Sequence, residues 1–266
     1  MKKLLLFNIA VTLTMLFAHT SWVEASVTGD SIKPLPQINK NFLIVVHTVG
    51  GGITAQEIES ALTQASVYFK PIGVTFTVCE YRTIDNVQYN ELIYQESISK
   101  KKNELKPVYG LTNRINFYFV NEVDVIEHTV CAYAEGGGIS SSVRAGQIVF
   151  KKGCFSAGVV AHELGHYFGL AHTFDNTVPE LANGSNCATA GDKICDTPAD
   201  PYVMGEETSD YMIGCEFNSL KRDANGDTYS PDVSNIMSYY PCGCASFTYD
   251  QYNSMATYYL SHVGTW

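Results

Sequence analysis

Three of the chain's seven histidines stand within the eleven residues His162-Glu163-Leu164-Gly165-His166-Tyr167-Phe168-Gly169-Leu170-Ala171-His172. Histidines four positions apart project from one face of a helix, so His162 and His166 can offer imidazole nitrogens to a single metal ion. A third ligand farther along the same helix would be carried past the ion. The chain must therefore turn, and Gly169 is the residue type that ends a helix in a left-handed conformation at least cost, which lets His172 return from outside the helix. Three neutral nitrogen ligands leave a fourth position for water, the arrangement of a catalytic zinc site rather than a closed structural one. Glu163, next to His162, is placed to take a proton from that water. His47, His128 and His262 stand alone and read as surface or satisfied core histidines.

These side chains need rigid carriers, and the flanking sequence supplies them. Ser156 reads as the N-cap of a helix from Ala157 to Leu170 that carries the two paired histidines. Upstream, Phe42-Leu43-Ile44-Val45-Val46 is a short apolar run that Gly50-Gly51-Gly52 ends, as expected of a buried strand. Thr54-Ala55-Gln56-Glu57 is a capping box, followed at helical spacing by Ile58, Ala61, Leu62, Ala65, Val67 and Phe69 up to Pro71. Residues 74–79, 115–120 and 147–150 read as strands, and Lys100-Lys101-Lys102 as a solvated loop. Glycines 136, 137 and 138 suggest a weakly packed strand beside 147–150. Beyond His172, Gly, Asp, Asn and Pro dominate together with five of the eight cysteines, so loops tied by disulfides are expected. Tyr252, Met255, Ala256, Tyr259 and Leu260 share the spacing of one face of a closing helix.

Composition bounds the alternatives. The chain has 266 residues, is 45% hydrophobic and has a net charge of −10, which excludes a disordered tail, a polytopic membrane protein and a basic nucleic-acid binder. Lys2-Lys3, an apolar run to Phe17 and small residues before Ala25 read as a secretory signal cleaved after Ala25. Export places all eight cysteines where disulfides persist.

The histidine pattern resembles the metzincin zinc endopeptidases, whose signature H-E-x-x-H-x-x-G-x-x-H is followed by a methionine turn. Asn235-Ile236-Met237-Ser238-Tyr239 matches that turn. Gly191-Asp192-Lys193-Ile194-Cys195-Asp196-Thr197-Pro198 and Tyr229-Ser230-Pro231 are similar to the pappalysin family, particularly its small bacterial secreted members. The likeness runs from about Asn41 onward, with its specific motifs between His162 and Cys244.

The resemblance implies an α+β zincin/metzincin fold: an N-terminal subdomain with a twisted mixed sheet and two long helices, then an irregular, disulfide-tied C-terminal subdomain ending in a helix. The expected organisation is a signal peptide (1–25), a leader or short pro-segment (26–40) and a catalytic domain (41–266), its upper part ending near 172 and its lower part covering 173–266. It implies a secreted zinc-dependent endopeptidase with His162, His166 and His172 as metal ligands and Glu163 as general base. Met237 would form an apolar floor, and Tyr239 would approach the metal or stabilise the oxyanion, since a phenol can donate to charge developing on the scissile oxygen. The disulfides expected from the family are Cys215 with Cys244 and Cys187 with Cys195. Calcium is an additional expectation, at Asp192, Asp196 and Thr197 or at Asp223-Ala224-Asn225-Gly226-Asp227, where a polar turn without metal is the competing reading.

Residues 136–142 resemble the edge strand that metzincins offer to an extended peptide. Tyr240 to Ser246, the expected pocket wall, contains no acidic residue, so no preference for basic side chains is expected from it. No cysteine lies in the leader to act as a thiol switch, and Asp30 is its candidate zinc-blocking carboxylate. The expected partner is a peptide or protein substrate, with neither nucleic acid nor membrane, and the expected state is a monomer. Two other classes remain open at this point: a non-catalytic zinc-containing binding or adhesion module, which would have no reason to keep Glu163, and a zinc amidase acting on cell-wall peptides.

Overall fold

The computed structural model describes residues 33–265 apart from 93–97, 126–127, 136–145, 176, 241 and 244. The signal segment, Asp30 and the 136–142 strand expected from sequence lie outside these residues. Residues from Leu35 onward form one compact unit. In chain order its strands are β1 (Lys40–Val49), β2 (Val74–Ile84), β3 (Glu91–Leu92), β4 (Ile115–Val120), β5 (Glu122–Val125), β6 (His128–Thr129), β7 (Ala132–Glu135), β8 (Gln147–Lys151), β9 (Met212–Ile213) and β10 (Glu216–Phe217). Its helices are α1 (Ala55–Ser66), α2 (Ile98–Tyr109), α3 (Ala157–Tyr167) and α4 (Tyr249–Ser261). Among the described residues no helix is long and apolar enough to cross a membrane.

Five strands form a mixed sheet in the order β2-β1-β4-β8-β7, parallel except for the antiparallel edge strand β7. The continuous apolar run of β4 follows from burial on both faces. Ile115, Phe117 and Phe119 enter one core with α1, α3 and α4, whereas Tyr118 and Val120 enter a second with Leu105, Tyr89 and Val149. The second core corrects two expectations. Lys100-Lys101-Lys102 lies within α2 rather than in a loop, and the part of the chain before His172 therefore has three long helices rather than two. A lysine run and Pro107 masked the helix. Leu105, fully buried against the sheet, anchors it.

Local signals define the other helix ends. Thr54 and Glu57 close the capping box of α1 reciprocally, and Ile58, Ala61, Leu62 and Ala65 form its buried stripe. The helix tightens to a 3₁₀ turn over Val67–Ile72, which accommodates Pro71, and stops at Gly73 (φ 69°). Helix α4 opens on a second capping box, Thr248 with Gln251, and buries Met255, Ala256 and Tyr259. Leu260, expected on the same face, is exposed.

From Thr173 to Thr248 the chain has almost no regular structure, and disulfides tie it down. Cys187 pairs with Cys195 as expected. Cys215 pairs with Cys242, not with Cys244, at a Cα–Cα distance of 5.5 Å within the bridging range. The bridge holds the β9–β10 turn, and two thiols separated by one glycine are indistinguishable by sequence spacing alone. A third bridge, Cys131–Cys154, was not anticipated; it joins the start of β7 to the turn before α3.

Candidate metal centre

Helix α3 begins where the Ser156 hydroxyl accepts the Val159 N–H at 3.3 Å. Its α-helical turns end at Tyr167, and the expected last residues to Leu170 form the cap. Gly169 N–H donates to the His166 carbonyl and Leu170 N–H to the Gly165 carbonyl, the paired bonds of a Schellman turn. Gly169 has φ +90°, and a Cβ there would lie 2.9 Å from the Tyr258 ring, so both conformation and space call for glycine. The turn brings His172 back to the two helical histidines.

The Nε2 atoms of His162, His166 and His172 form a triangle with sides of 3.0–3.1 Å. His162 Nδ1 lies 2.7 Å from the Ile236 carbonyl and His166 Nδ1 lies 2.8 Å from the Leu170 carbonyl. A carbonyl only accepts, so each Nδ1 carries the proton and each Nε2 turns a lone pair inward. His172 is oriented instead by stacking on Phe174, with ring centroids 4.5 Å apart and planes 11° from parallel. Burial, reinforced by the neighbouring imidazoles, holds His162 down at about 3 and pushes His172 far below the usual range, and burial also lowers His166. Three neutral nitrogens facing one point at this separation suit a cation. The corners of such a triangle lie ~1.8 Å from its centre, so an ion at the usual ~2.0–2.1 Å can reach all three. Among the described residues no other group of three or more His, Cys, Asp or Glu side chains gathers in this way.

Glu163 is buried, its carboxyl pushed up to about 8 by desolvation, and its Oε2 has no hydrogen-bond partner. A buried polar atom left unpaired is costly, which marks it as waiting for a partner that is not protein. Met237 is fully buried beneath α3, and a Cβ at Gly165 would lie 2.5 Å from its Sδ. Gly165 thus supplies the room that Met237 fills, a role sequence reasoning missed. The Tyr239 ring lies 4.8 Å from that of His172 and 5.6 Å from that of His162. Burial, with the Glu163 carboxylate nearby, pushes its phenol up to about 12, so Tyr239 remains a protonated donor.

A cavity of about 750 Å³ opens beside Glu163 and Tyr239, lined also by Thr129, Val130, Cys131 and Ala132, from the end of β6 to the start of β7. The far wall includes Tyr202, Met204, Glu206 and Glu207. Tyr240, Cys242 and Ala245 of the expected wall line the cavity as well, and Glu206 and Glu207 add carboxylates from a segment that the sequence had not assigned to it. Both are exposed, and Glu206 accepts from Lys221 Nζ at 2.6 Å and from the Tyr211 hydroxyl.

The other expected site residues are spent locally. Asp192 accepts from Ile194 N–H and Thr197 Oγ1, Asp196 caps α4 through Thr248 Oγ1 and Asp250 N–H, and Asp223 accepts from the N–H groups of Ala182, Asn225 and Asp227. Carboxylates used this way build turns, and the calcium expectation gains no support from them. His47 lies fully buried in β1, hydrogen-bonded to Asn116 at 3.0 Å, and His262 is exposed at the end of α4.

The fold is a mixed α+β one, and the one His cluster among the described residues, His162, His166 and His172, could hold a metal ion. Residues 44–216 match the model of metallopeptidase family M12 (Reprolysin_5), and the chain belongs to that family. It is 27% identical over 164 residues to an extracellular metalloprotease of Colletotrichum graminicola, covering 58% of this chain and 53% of that protein, so the chain spans about half the length of this curated relative. Metalloproteinase-II from Bacteroides fragilis is a similar solved structure, with a TM-score of 0.36 at 15% identity over 52% of this chain and 44% of that one. A chaperone–substrate complex matches with a TM-score of 0.38 at 13% identity over 82% of this chain and 35% of that one.

Proposed function

We propose that the chain is a secreted zinc-dependent endopeptidase of metzincin type, similar to the small bacterial pappalysins. The observation that carries this reading is the triangle of inward-facing Nε2 atoms, beside which stands a buried carboxylate with an unpaired oxygen. His162, His166 and His172 would hold the ion. Zinc, when bound there, supplies Lewis-acid polarisation of a carbonyl and acidifies a bound water. Glu163 takes the proton of the attacking water on Oε2 and passes it to the leaving amine. Tyr239 keeps its phenolic proton and donates it as a hydrogen bond to the oxygen that gains charge. Residues 136–142, together with β7, the outermost strand of the sheet among the described residues, would pair with an extended peptide through their backbone, leaving side-chain selection to the cleft wall. Calcium is no part of the reading.

The domain division goes with the proposal: signal peptide to Ala25, leader 26–40, and a catalytic domain over 41–266 whose upper and lower parts meet near 172. Secretion is supported by three disulfides and by the extracellular relative. The test uses the secreted protein on an unfolded protein substrate. Chelation should abolish cleavage and zinc should restore it. Glu163→Gln should retain one zinc per chain while losing cleavage by a factor on the order of 1000. Zinc-independent cleavage, or full activity of Glu163→Gln, overturns the proposal.

A further inference from the structure

Beyond the ligands and Glu163, one buried acid gathers the loops around the centre. Asp200 is almost wholly buried, and its three hydrogen bonds each reach a different segment. Thr173 Oγ1 donates to Oδ2 at 2.8 Å, while Tyr240 Oη and Tyr202 N–H donate to Oδ1 at 2.7 and 3.0 Å. No Lys or Arg among the described residues pairs with it. Burial raises its carboxyl, and the three donors oppose that by favouring the carboxylate.

All three donors adjoin the centre. Thr173 follows His172, and its N–H also donates to the Met237 carbonyl at 3.2 Å. Tyr240 follows Tyr239. The Tyr202 ring lies 5.6 Å from that of Tyr239 and 4.9 Å from that of Phe174, the ring on which His172 stacks. An acceptor-only group suits this spot: asparagine would turn an N–H₂ towards Thr173 or Tyr240 and force that hydroxyl to reverse its role.

On the reading proposed above, we propose that Asp200 is a positioning residue: its carboxylate locks the segment bearing His172 to the segment bearing Tyr239. Metal retention and the hydrogen bond to the developing oxyanion then depend on it together. Outer partners of this kind are worth ~10–100-fold in metal affinity or activity.

The experiment uses the full secreted holoprotein. Zinc loss to a chelator, and kcat and KM on a peptide substrate, are measured for Asp200→Ala and Asp200→Asn, each in the wild-type and Tyr239→Phe backgrounds. Asp200→Ala is expected to lose zinc about tenfold faster and to lower kcat ~10–100-fold with KM within about twofold, Asp200→Asn falling between it and wild type. In the Tyr239→Phe background the further loss in kcat should shrink to less than about threefold, because the two residues act as one unit. Unchanged zinc loss and kcat with only a lower melting temperature, or a full-sized loss in the Tyr239→Phe background, overturns the proposal. If Tyr239→Phe alone has no effect on kcat, the reading of Tyr239 fails instead, and the chelator assay decides for Asp200. Should Asp200→Ala fail to fold, Tyr240→Phe and Thr173→Val each remove one donor; lower kcat in the first and faster zinc loss in the second support the proposal, and the absence of both effects overturns it.

Discussion

Before His172, backbone polar groups find their partners in ladders and helices: β4 lies between β1 and β8, and α3 closes on its own carbonyls. After His172 the same requirement is met by side chains. Asp175, Asp192, Asp200, Asp223, Asp232 and Asn235 each accept the N–H two residues on, so the carboxylates and amides stand in for regular structure. The candidate centre draws on both parts. Two histidines and Glu163 come from a helix, whereas the third histidine and Tyr239 come from loops that a buried acid and a disulfide network hold still. Precision of placement therefore does not require regular structure, provided that side chains satisfy the backbone groups that ladders and helices leave unpaired.

The strongest way to break this comparison is to remove one ligand from each side. His166→Ala in the helix and His172→Ala in the loop should each reduce zinc content from one per chain to near none and cleavage by a factor on the order of 1000, measured by metal analysis and peptide hydrolysis. A loop ligand that proved dispensable would show that only the helix is preorganised.

A smaller effect separates the means of support. Cys215→Ala with Cys242→Ala should cost about 2–4 kcal/mol in unfolding free energy, read by denaturant titration. The loss should show first as faster amide exchange in residues 202–217, with β4 and α3 still protected. Uniform loss of protection would contradict two separately supported regions.

Comparable in size but confined to the sheet is the response of His47 to pH. Burial, aided by Arg82, holds this imidazole at about 4 against an ordinary 6.5, although Asn116 and Glu80 oppose the shift. Between these values the unfolded chain binds more protons than the folded one, so stability falls as pH drops from 6.5 towards 4 and levels off below. The shift corresponds to about 3 kcal/mol at most. Melting curves of the zinc-loaded protein should show a shallower decline over that window for His47→Gln than for wild type; parallel declines would remove His47 from the account. The smallest expected effect is at the α1 cap, where Thr54→Ala should cost about 1 kcal/mol without altering zinc content.

Much of this division could be read in advance, and the limits have physical causes. The histidine spacing, Ser156 and Gly169 depend on contacts within a few residues or on fixed helical geometry, whereas the Asn235–Tyr239 turn, which meets His162 from 74 residues away, was expected only from the family resemblance. Helix α2 was hidden because its lysines argue for solvent while burial of Leu105 against Tyr118 and Val120, a long-range event, decides the matter. The partner of Cys215 turned on a two-residue difference that only the path of the chain after Tyr240 resolves. Glu206, Glu207 and Asp200 carry no local signature of a site. They reach the cleft or its support because the loops fold over Tyr239, and their partners are distant in sequence.

The central claim is that the three Nε2 atoms surround one ion. Diffraction data collected on either side of the zinc absorption edge, from crystals of the secreted protein, test it most directly. The account predicts a single strong anomalous peak ~2.0–2.1 Å from the Nε2 atoms of His162, His166 and His172. A peak elsewhere, or none in crystals of protein that still cleaves peptides, would contradict it.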